Sequence, residues 1–231
     1  RSLALAGISH DIRSPLARLR MEIELAELSP EQRASMAEDI ERIDRIVGQF
    51  IQYARIAEPP RAERVDVAAV LASVDHAYRA AADSGELELS VDHGDARHWI
   101  GDPTDLQRAV NNLIDNSMRY GRASPGEPAR IELTARRTPA GLEIGVRDHG
   151  PGVPDTDLER LLEPFARMDS ARSERGGSGL GLAIVERLAR RYGGSLRLVN
   201  APGGGLAASL TLPDYGGIVE GGHERPSERS R

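Results

Sequence analysis

The first 56 residues can hide their apolar side chains only against other helices. Leu5, Ile8, Ile12, Leu16, Leu19 and Ile23 recur at steps of three or four, which lays one apolar stripe along a helix. A second stripe, Met36, Ile40, Ile43, Val47, Phe50 and Ala54, alternates steps of four and three, the spacing of a coiled-coil seam. Between them Ser29-Pro30-Glu31 supplies an N-cap, a proline at the first helical position and an acid in the first turn. The pattern predicts a helix from Leu3 to about Leu28 and a second, antiparallel one from Pro30. Pro15 lies inside the first and predicts either a bend one turn after His10 or a break between two helices. One hairpin cannot bury two such seams. A homodimer closing a four-helix bundle is therefore expected, the alternative being packing on the remainder of the chain.

His10 falls off the first stripe, inside Gly7-Ile8-Ser9-His10-Asp11-Ile12-Arg13-Ser14-Pro15, so its ring is expected to face solvent. A neutral imidazole is nucleophilic and titrates near physiological pH. Asp11 could orient one ring nitrogen or take its proton. Taken alone, the pair is equally an ordinary surface histidine beside an acid.

Ala57 to Arg64 is polar and bears Pro59-Pro60, which marks a linker. Beyond it the pattern is mixed. A helix is expected from Val67 to about Ala82 and a strand at Leu87–Val91. Asp102-Pro103-Thr104-Asp105 then opens a helix to about Tyr120. Strands near 130–135 and 142–147 precede a glycine-punctuated stretch over 148–182. A helix from Gly181 to Tyr192 and strands near 195–199 and 206–212 complete the unit. Without strict βαβ alternation this reads as an α/β sandwich, and the whole chain as α+β. The expected division is 1–56 hairpin, 57–66 linker, 67–213 sandwich and 214–231 a disordered, low-complexity tail. A net charge of −6, from 30 basic and 36 acidic residues, leaves no basic face for nucleic acid. The absence of cysteine removes disulfide, thiolate and Cys-ligated metal chemistry. No apolar run reaches the roughly 18 residues of a membrane span. A chain opening at Arg1 inside a helical pattern reads as a fragment of a longer protein.

Four stretches of the sandwich suit one ligand. Asn112 and Asn116, four apart on a helix, share a face, and amide oxygens are hard ligands suited to Mg²⁺; Arg119 follows within reach of phosphate. Asp148-His149-Gly150-Pro151-Gly152 ends a strand with a carboxylate able to accept from adenine's exocyclic amine. Glu163-Pro164-Phe165-Ala166-Arg167 offers Phe165 as a loop anchor and Arg167 as a phosphate contact. Gly176-Gly177-Ser178-Gly179-Leu180-Gly181 precedes a helix and presents N–H groups to phosphate. It lacks the spacing and the Lys-Ser/Thr of a P-loop. The charged, glycine-rich residues 168–179 have the look of a lid. Each stretch alone is also compatible with a turn, a cap or a polar helix face.

In this order and spacing the stretches resemble the sensor histidine kinases of two-component systems, with the ATP-binding fold shared with Hsp90, type II topoisomerases and MutL. Gly7–Pro15 resembles the H box, Asn112–Tyr120 the N box, and Asp148–Gly152 the first glycine box. Glu163–Arg167 resembles the F box and Gly177–Gly181 the second glycine box. The runs 163–172 and 179–185 look most like the osmosensor type. The resemblance implies that His10 is the phosphoacceptor, with Asp11 assisting proton transfer, in a dimerisation and histidine phosphotransfer domain. It implies that Asn112 and Asn116 hold Mg²⁺ and that Arg119 and Tyr120 contact ATP. Asp148 would read adenine, while Gly150, Gly152, Phe165, Arg167, Gly177, Gly179, Leu180 and Gly181 would shape the pocket and lid. It further implies phosphotransfer to a response-regulator aspartate, a homodimer, and a membrane-anchored bacterial parent with this part in the cytoplasm. Four residues after the phosphoacceptor, relatives usually carry Thr or Asn; here Ser14 stands there, and a phosphatase activity leaning on its hydroxyl is expected beside the kinase. His149 is expected to be solvated filler. An ATPase of the same fold without histidine transfer would lack the hairpin bearing His10. A non-catalytic scaffold would have lost Asn116, Asp148 or the glycines.

Overall fold

The computed structural model describes residues 2–56, 59–166 and 177–216. Helix α1 spans Ser2–Leu25 and α2 spans Pro30–Arg55. The turn between them is set locally. Ser29 Oγ accepts from the Gln32 N–H at 3.2 Å, and the Ser29 N–H donates to Gln32 Oε1 at 3.1 Å, a reciprocal capping box that starts α2. Helix α1 runs through Pro15 without a break. Leu16, Ile23 and Ile51 are buried, but Met36, Ile43 and Phe50, each seven residues apart, remain 44–48% exposed.

The remainder begins earlier than the sequence suggested. Residues 63–66, expected as linker, form strand β1 (Glu63–Asp66), antiparallel to β3 (His98–Gly101), with Val65 opposite Trp99. The helix expected over 67–82 is two, α3 (Val67–Ala77) and α4 (Arg79–Asp83), parted at Tyr78. There the Tyr78 hydroxyl donates to Asp115 Oδ1 at 2.7 Å, which fastens the joint to α5 (Pro103–Tyr120). Burial, then the neighbouring Asp115 charge, pushes this phenol well above its ordinary value.

A five-stranded sheet runs in the order β2 (Leu87–Asp92), β4 (Ala129–Thr138), β5 (Gly141–Asp148), β7 (Leu206–Leu212), β6 (Ser195–Asn200). β2 and β4 are parallel and the other pairs antiparallel. Along β4, Ile131, Leu133 and Ala135 are buried while Arg130, Glu132 and Arg136 are exposed, so one face of the sheet carries the core. Helices α3, α5 and α6 (Gly181–Arg191) cover it, burying Leu71, Leu113, Ile114, Ile184 and Leu188. The sandwich is a two-layer α/β unit, as expected.

Helices α5 and α6 lie antiparallel and are clasped at one end. Asp105 on α5 is 4% exposed; its carboxylate accepts from Arg191 at 2.6 Å, the Tyr192 hydroxyl at 2.9 Å and Arg108 at 3.1 Å. Burial pushes this carboxyl up, while Arg191 and Tyr192 pull it back. Asp214 and Tyr215, expected in the tail, are docked on β3: the Ile100 N–H donates to Asp214 at 2.9 Å, and the Tyr215 N–H donates to the Ile100 carbonyl at 2.8 Å. Residues 217–231 lie outside the described part.

Candidate functional site

Along the α5–α6 pair lies a cavity of about 830 Å³, within the size range of small-ligand sites. Asn112, Asn116, Arg119 and Tyr120 from α5, Asp148 and Gly152 from the end of β5, and Gly177, Ser178, Gly179 and Gly181 ahead of α6 all line it. Residues up to 69 positions apart in sequence are thus brought to one space.

Asp148 is 4% exposed and is aimed by the main chain. Its Oδ1 accepts from the Gly150 N–H at 3.1 Å and the Leu206 N–H at 2.9 Å, leaving Oδ2 as the acceptor for a ligand. The loop that follows is pinned by Asn200, which accepts from the Val153 N–H at 3.0 Å and donates to its carbonyl at 2.7 Å. Gly205 seals the back of this carboxylate. Its φ is +88°, and a Cβ there would lie 1.9 Å from the Asp148 carbonyl oxygen. Gly150 plays its part outside the cavity lining, packed so that a Cβ would lie 2.6 Å from Gly121 Cα.

Asn112 is 8% exposed, and its Nδ2 donates to the Arg108 carbonyl at 2.8 Å. That bond commits the amide nitrogen and leaves Oδ1 turned toward Gly181, 3.4 Å from where a Cβ would stand. Asn116 follows one turn later. Two amide oxygens on one helix face, opposite a helix N-terminus that attracts phosphate, suit a hard divalent cation that keeps phosphate and water ligands. Among the described residues no group of three or more His, Asp or Glu side chains gathers to hold a metal. Asn111 also lines the cavity, and its Oδ1 is buried with no hydrogen-bond partner among the described residues.

The C-terminal end of α5 closes on the glycine segment. A Cβ on Gly177 would lie 2.5 Å from the Tyr120 hydroxyl and 3.0 Å from Arg119 Nη1, so only glycine lets both side chains approach. Leu180 stands in the core at 0% exposure, with its N–H donated to Ser178 Oγ at 3.1 Å. It contributes backbone rather than a cavity surface. Phe165 does not line the cavity. It is 58% exposed with φ +64°, and it supports the site through its backbone, donating its N–H to the Gly179 carbonyl at 2.9 Å. Arg167 and residues 168–176 of the expected lid lie outside the described part, as do the side chains of His10 and Asp11. Ser14 is exposed on α1. His149, expected as filler, pairs with Glu132 at 2.9 Å.

Sequence reasoning missed the contribution of α2. Asp44, Arg45, Gly48, Gln49 and Gln52 line the same cavity. Gln49 accepts a hydrogen bond from the Ser178 hydroxyl. Arg20 on α1 reaches Glu41 on α2 at 3.7 Å. The same hairpin carries His10, on α1. The hairpin that bears the phosphoacceptor candidate therefore also walls the cavity, through α2.

Comparison with known proteins agrees with this arrangement. Residues 101–216 match the model of the histidine kinase-, DNA gyrase B- and HSP90-like ATPases, and residues 1–59 that of the His Kinase A (phospho-acceptor) domain. The chain is 30% identical over 98% of its length to the sensor-like histidine kinase SenX3 of Mycolicibacterium smegmatis. It is 34% identical over 94% of its length to the sensor histidine kinase GtrS of Pseudomonas aeruginosa. It spans 61% and 42% of those two relatives. The crystal structure of full-length ShkA in complex with AMPPNP superposes with a TM-score of 0.72 at 26% identity, covering 92% of this chain and 46% of that one. With both domain models matched in order and the ATPase model covering half of its length, the chain belongs to the sensor histidine kinases of two-component systems.

Proposed function

We propose that this chain is a protein-histidine kinase core that moves the γ-phosphoryl group of ATP to His10 and then to an aspartate of a response-regulator receiver domain. The observation that carries the reading is that one hairpin both bears His10 and walls, through α2, the cavity that holds the aimed carboxylate and the amide pair. Asp148 Oδ2 accepts from the adenine amine. Arg119 and Tyr120, with the N-terminus of α6, hold the phosphates. Asn112 and Asn116 would hold Mg²⁺, which supplies charge neutralisation for the transferring group. Asp11 takes or orients the His10 proton so that the ring nitrogen attacks in line. Positioning, rather than covalent chemistry by the ATPase domain, accounts for the rate.

The division into a phosphoacceptor hairpin and an ATPase domain falls between Ile56 and β1 in this reading. The exposed Met36–Ile43–Phe50 strip is the face on which a second copy completes a four-helix bundle. Ser14, exposed one turn after His10, suits a second activity, phosphatase action on the regulator through its hydroxyl. Family resemblance extends the reading to a membrane-anchored parent with this part in the cytoplasm. No helix among the described residues is long and apolar enough to cross a membrane.

Incubation with γ-labelled ATP and Mg²⁺ tests the proposal. Acid-labile, base-stable label is expected on the parent and absent from His10→Gln and Asn116→Ala, while His10→Gln keeps its nucleotide affinity. Label that survives His10→Gln would overturn the phosphoacceptor.

A further inference from the structure

The last turns of α2 sit on α6 and the glycine segment ahead of it. Gln49 accepts from the Ser178 hydroxyl. Four residues on, the Tyr53 ring lies under the Arg187 guanidinium, 4.4 Å from its carbon. Three further on, Ile56 is 3% exposed and belongs to the core of the ATPase domain. Steps of four and three place all three contacts along one side of the helix end. This is a continuous docking interface, and its first contact lies inside the nucleotide cavity, which Gln49 and Ser178 both line.

The chemistry of Ser178 makes that contact conditional. A serine hydroxyl has one proton to donate. Here the proton goes to Gln49, and the oxygen accepts from the Leu180 N–H at 3.1 Å. Phosphate oxygens arriving at the N-terminus of α6 are acceptors that need those same two donors. The Gln49 amide oxygen, seated on the hydroxyl, is an acceptor that competes with them for its proton. Asp44 and Arg45 add one charge of each sign to this wall, so the hairpin brings no net charge attraction to offset the conflict.

We infer that the Gln49–Ser178 hydrogen bond is a latch holding α2 docked on the glycine segment, and that nucleotide phosphates compete for it, so hairpin docking and nucleotide binding oppose each other. The inference rests on the nucleotide reading of the cavity. Linkage makes the opposition reciprocal: docking weakens nucleotide affinity by the same factor by which nucleotide weakens docking. Ligand occupancy would thereby free the hairpin that carries His10.

The test is a titration of the full chain with a fluorescent, non-hydrolysable ATP analogue and Mg²⁺, comparing the parent, Gln49→Ala and Arg187→Gln. Arg187 is outside the cavity lining, so its variant reports on docking alone. Both positions are part-exposed, and matched thermal midpoints check that the variants fold. Both variants are expected to bind the analogue about two- to tenfold more tightly, the range that loss of one net hydrogen bond or cation–π contact from the competing state supplies. In the parent, the analogue is expected to speed hydrogen exchange at the amides of residues 49–56, an effect already present in unliganded Gln49→Ala. Unchanged or weaker binding by Gln49→Ala would overturn the latch, weaker binding marking Gln49 as a direct ligand. Tightening confined to Gln49→Ala would overturn it too, as a local effect without docking. A parent that binds no analogue would instead fail the nucleotide reading, and the latch with it.

Discussion

Asp148 illustrates how little of a functional side chain's aim is set by its own residue. The carboxylate is fixed by N–H groups from Gly150 and Leu206, and the backbone behind it by the absence of a side chain at Gly205. The neighbouring glycines separate two costs. Gly203 also has positive φ, +86°, but a Cβ there would meet nothing within 4 Å. Gly203→Ala should therefore lose only the left-handed penalty, roughly 1–2 kcal/mol. Gly205→Ala adds a clash with the Asp148 carbonyl and should cost about 3 kcal/mol or more, displacing the carboxylate as well. Thermal unfolding and nucleotide titration of the two variants check this. Gly205→Ala is expected to lower both stability and affinity, Gly203→Ala stability alone. Equal effects would mean that the contact with Asp148 has no consequence.

At the scale of elements, the hairpin was the most legible part, because a strict four-three repeat admits few packings. In one chain the stripes are only partly used: Leu16 and Ile23 of the first are buried, whereas Met36, Ile43 and Phe50 of the second are not. Each is already half buried, so covering the rest on a second copy is worth about 0.7–1.5 kcal/mol. Ile43→Glu places a charge at the centre of that strip and is expected to convert a dimer into a monomer in light scattering. Nucleotide affinity should be retained, since the ATPase core lies elsewhere. A parent already monomeric at micromolar concentration would refute the bundle. β1 and β3 were not legible. Each has four residues, too few to show alternation, and their pairing joins segments 35 residues apart in sequence. The break at Tyr78 was equally hidden, since it answers to Asp115 on another helix. Of the site, the glycine and asparagine clusters could be read because each is local. The wall supplied by Gln49 and the backing of Asp148 by Gly205 could not, for they depend on where α2 and the turn before β7 come to rest.

Across the whole molecule, the cavity exists because α5 and α6 are held antiparallel at a fixed spacing, and that spacing is set at the end remote from the glycine segment. Asp105 ties Arg108, Arg191 and the Tyr192 hydroxyl together. Tyr192 in turn packs on Trp99 at 4.8 Å and on Tyr215 at 6.0 Å between ring centroids, and the Trp99 indole donates to the Pro213 carbonyl at 3.0 Å. Residues 213–215 thus strap the remote end shut, and Asp214 is the strap's charged fastening. Hydrogen bonds donated by Arg137, helped by the Ile100 N–H and the guanidinium charge, hold its carboxyl below the ordinary value of 3.8. A carboxyl lowered by folding adds stability that is complete above its unfolded value and is lost as pH falls through its native one. The side chain is 39% exposed, so solvent screening limits this to about 0.5–1 kcal/mol. Asp214→Asn is therefore expected to melt a few degrees below the parent at neutral pH. The two curves should begin to converge as pH drops below about 3.8 and meet once it has passed the lower native value, where protonation removes the fastening from the parent. A gap that stays constant from pH 7 to pH 3 would show that Asp214 acts through its shape rather than its charge.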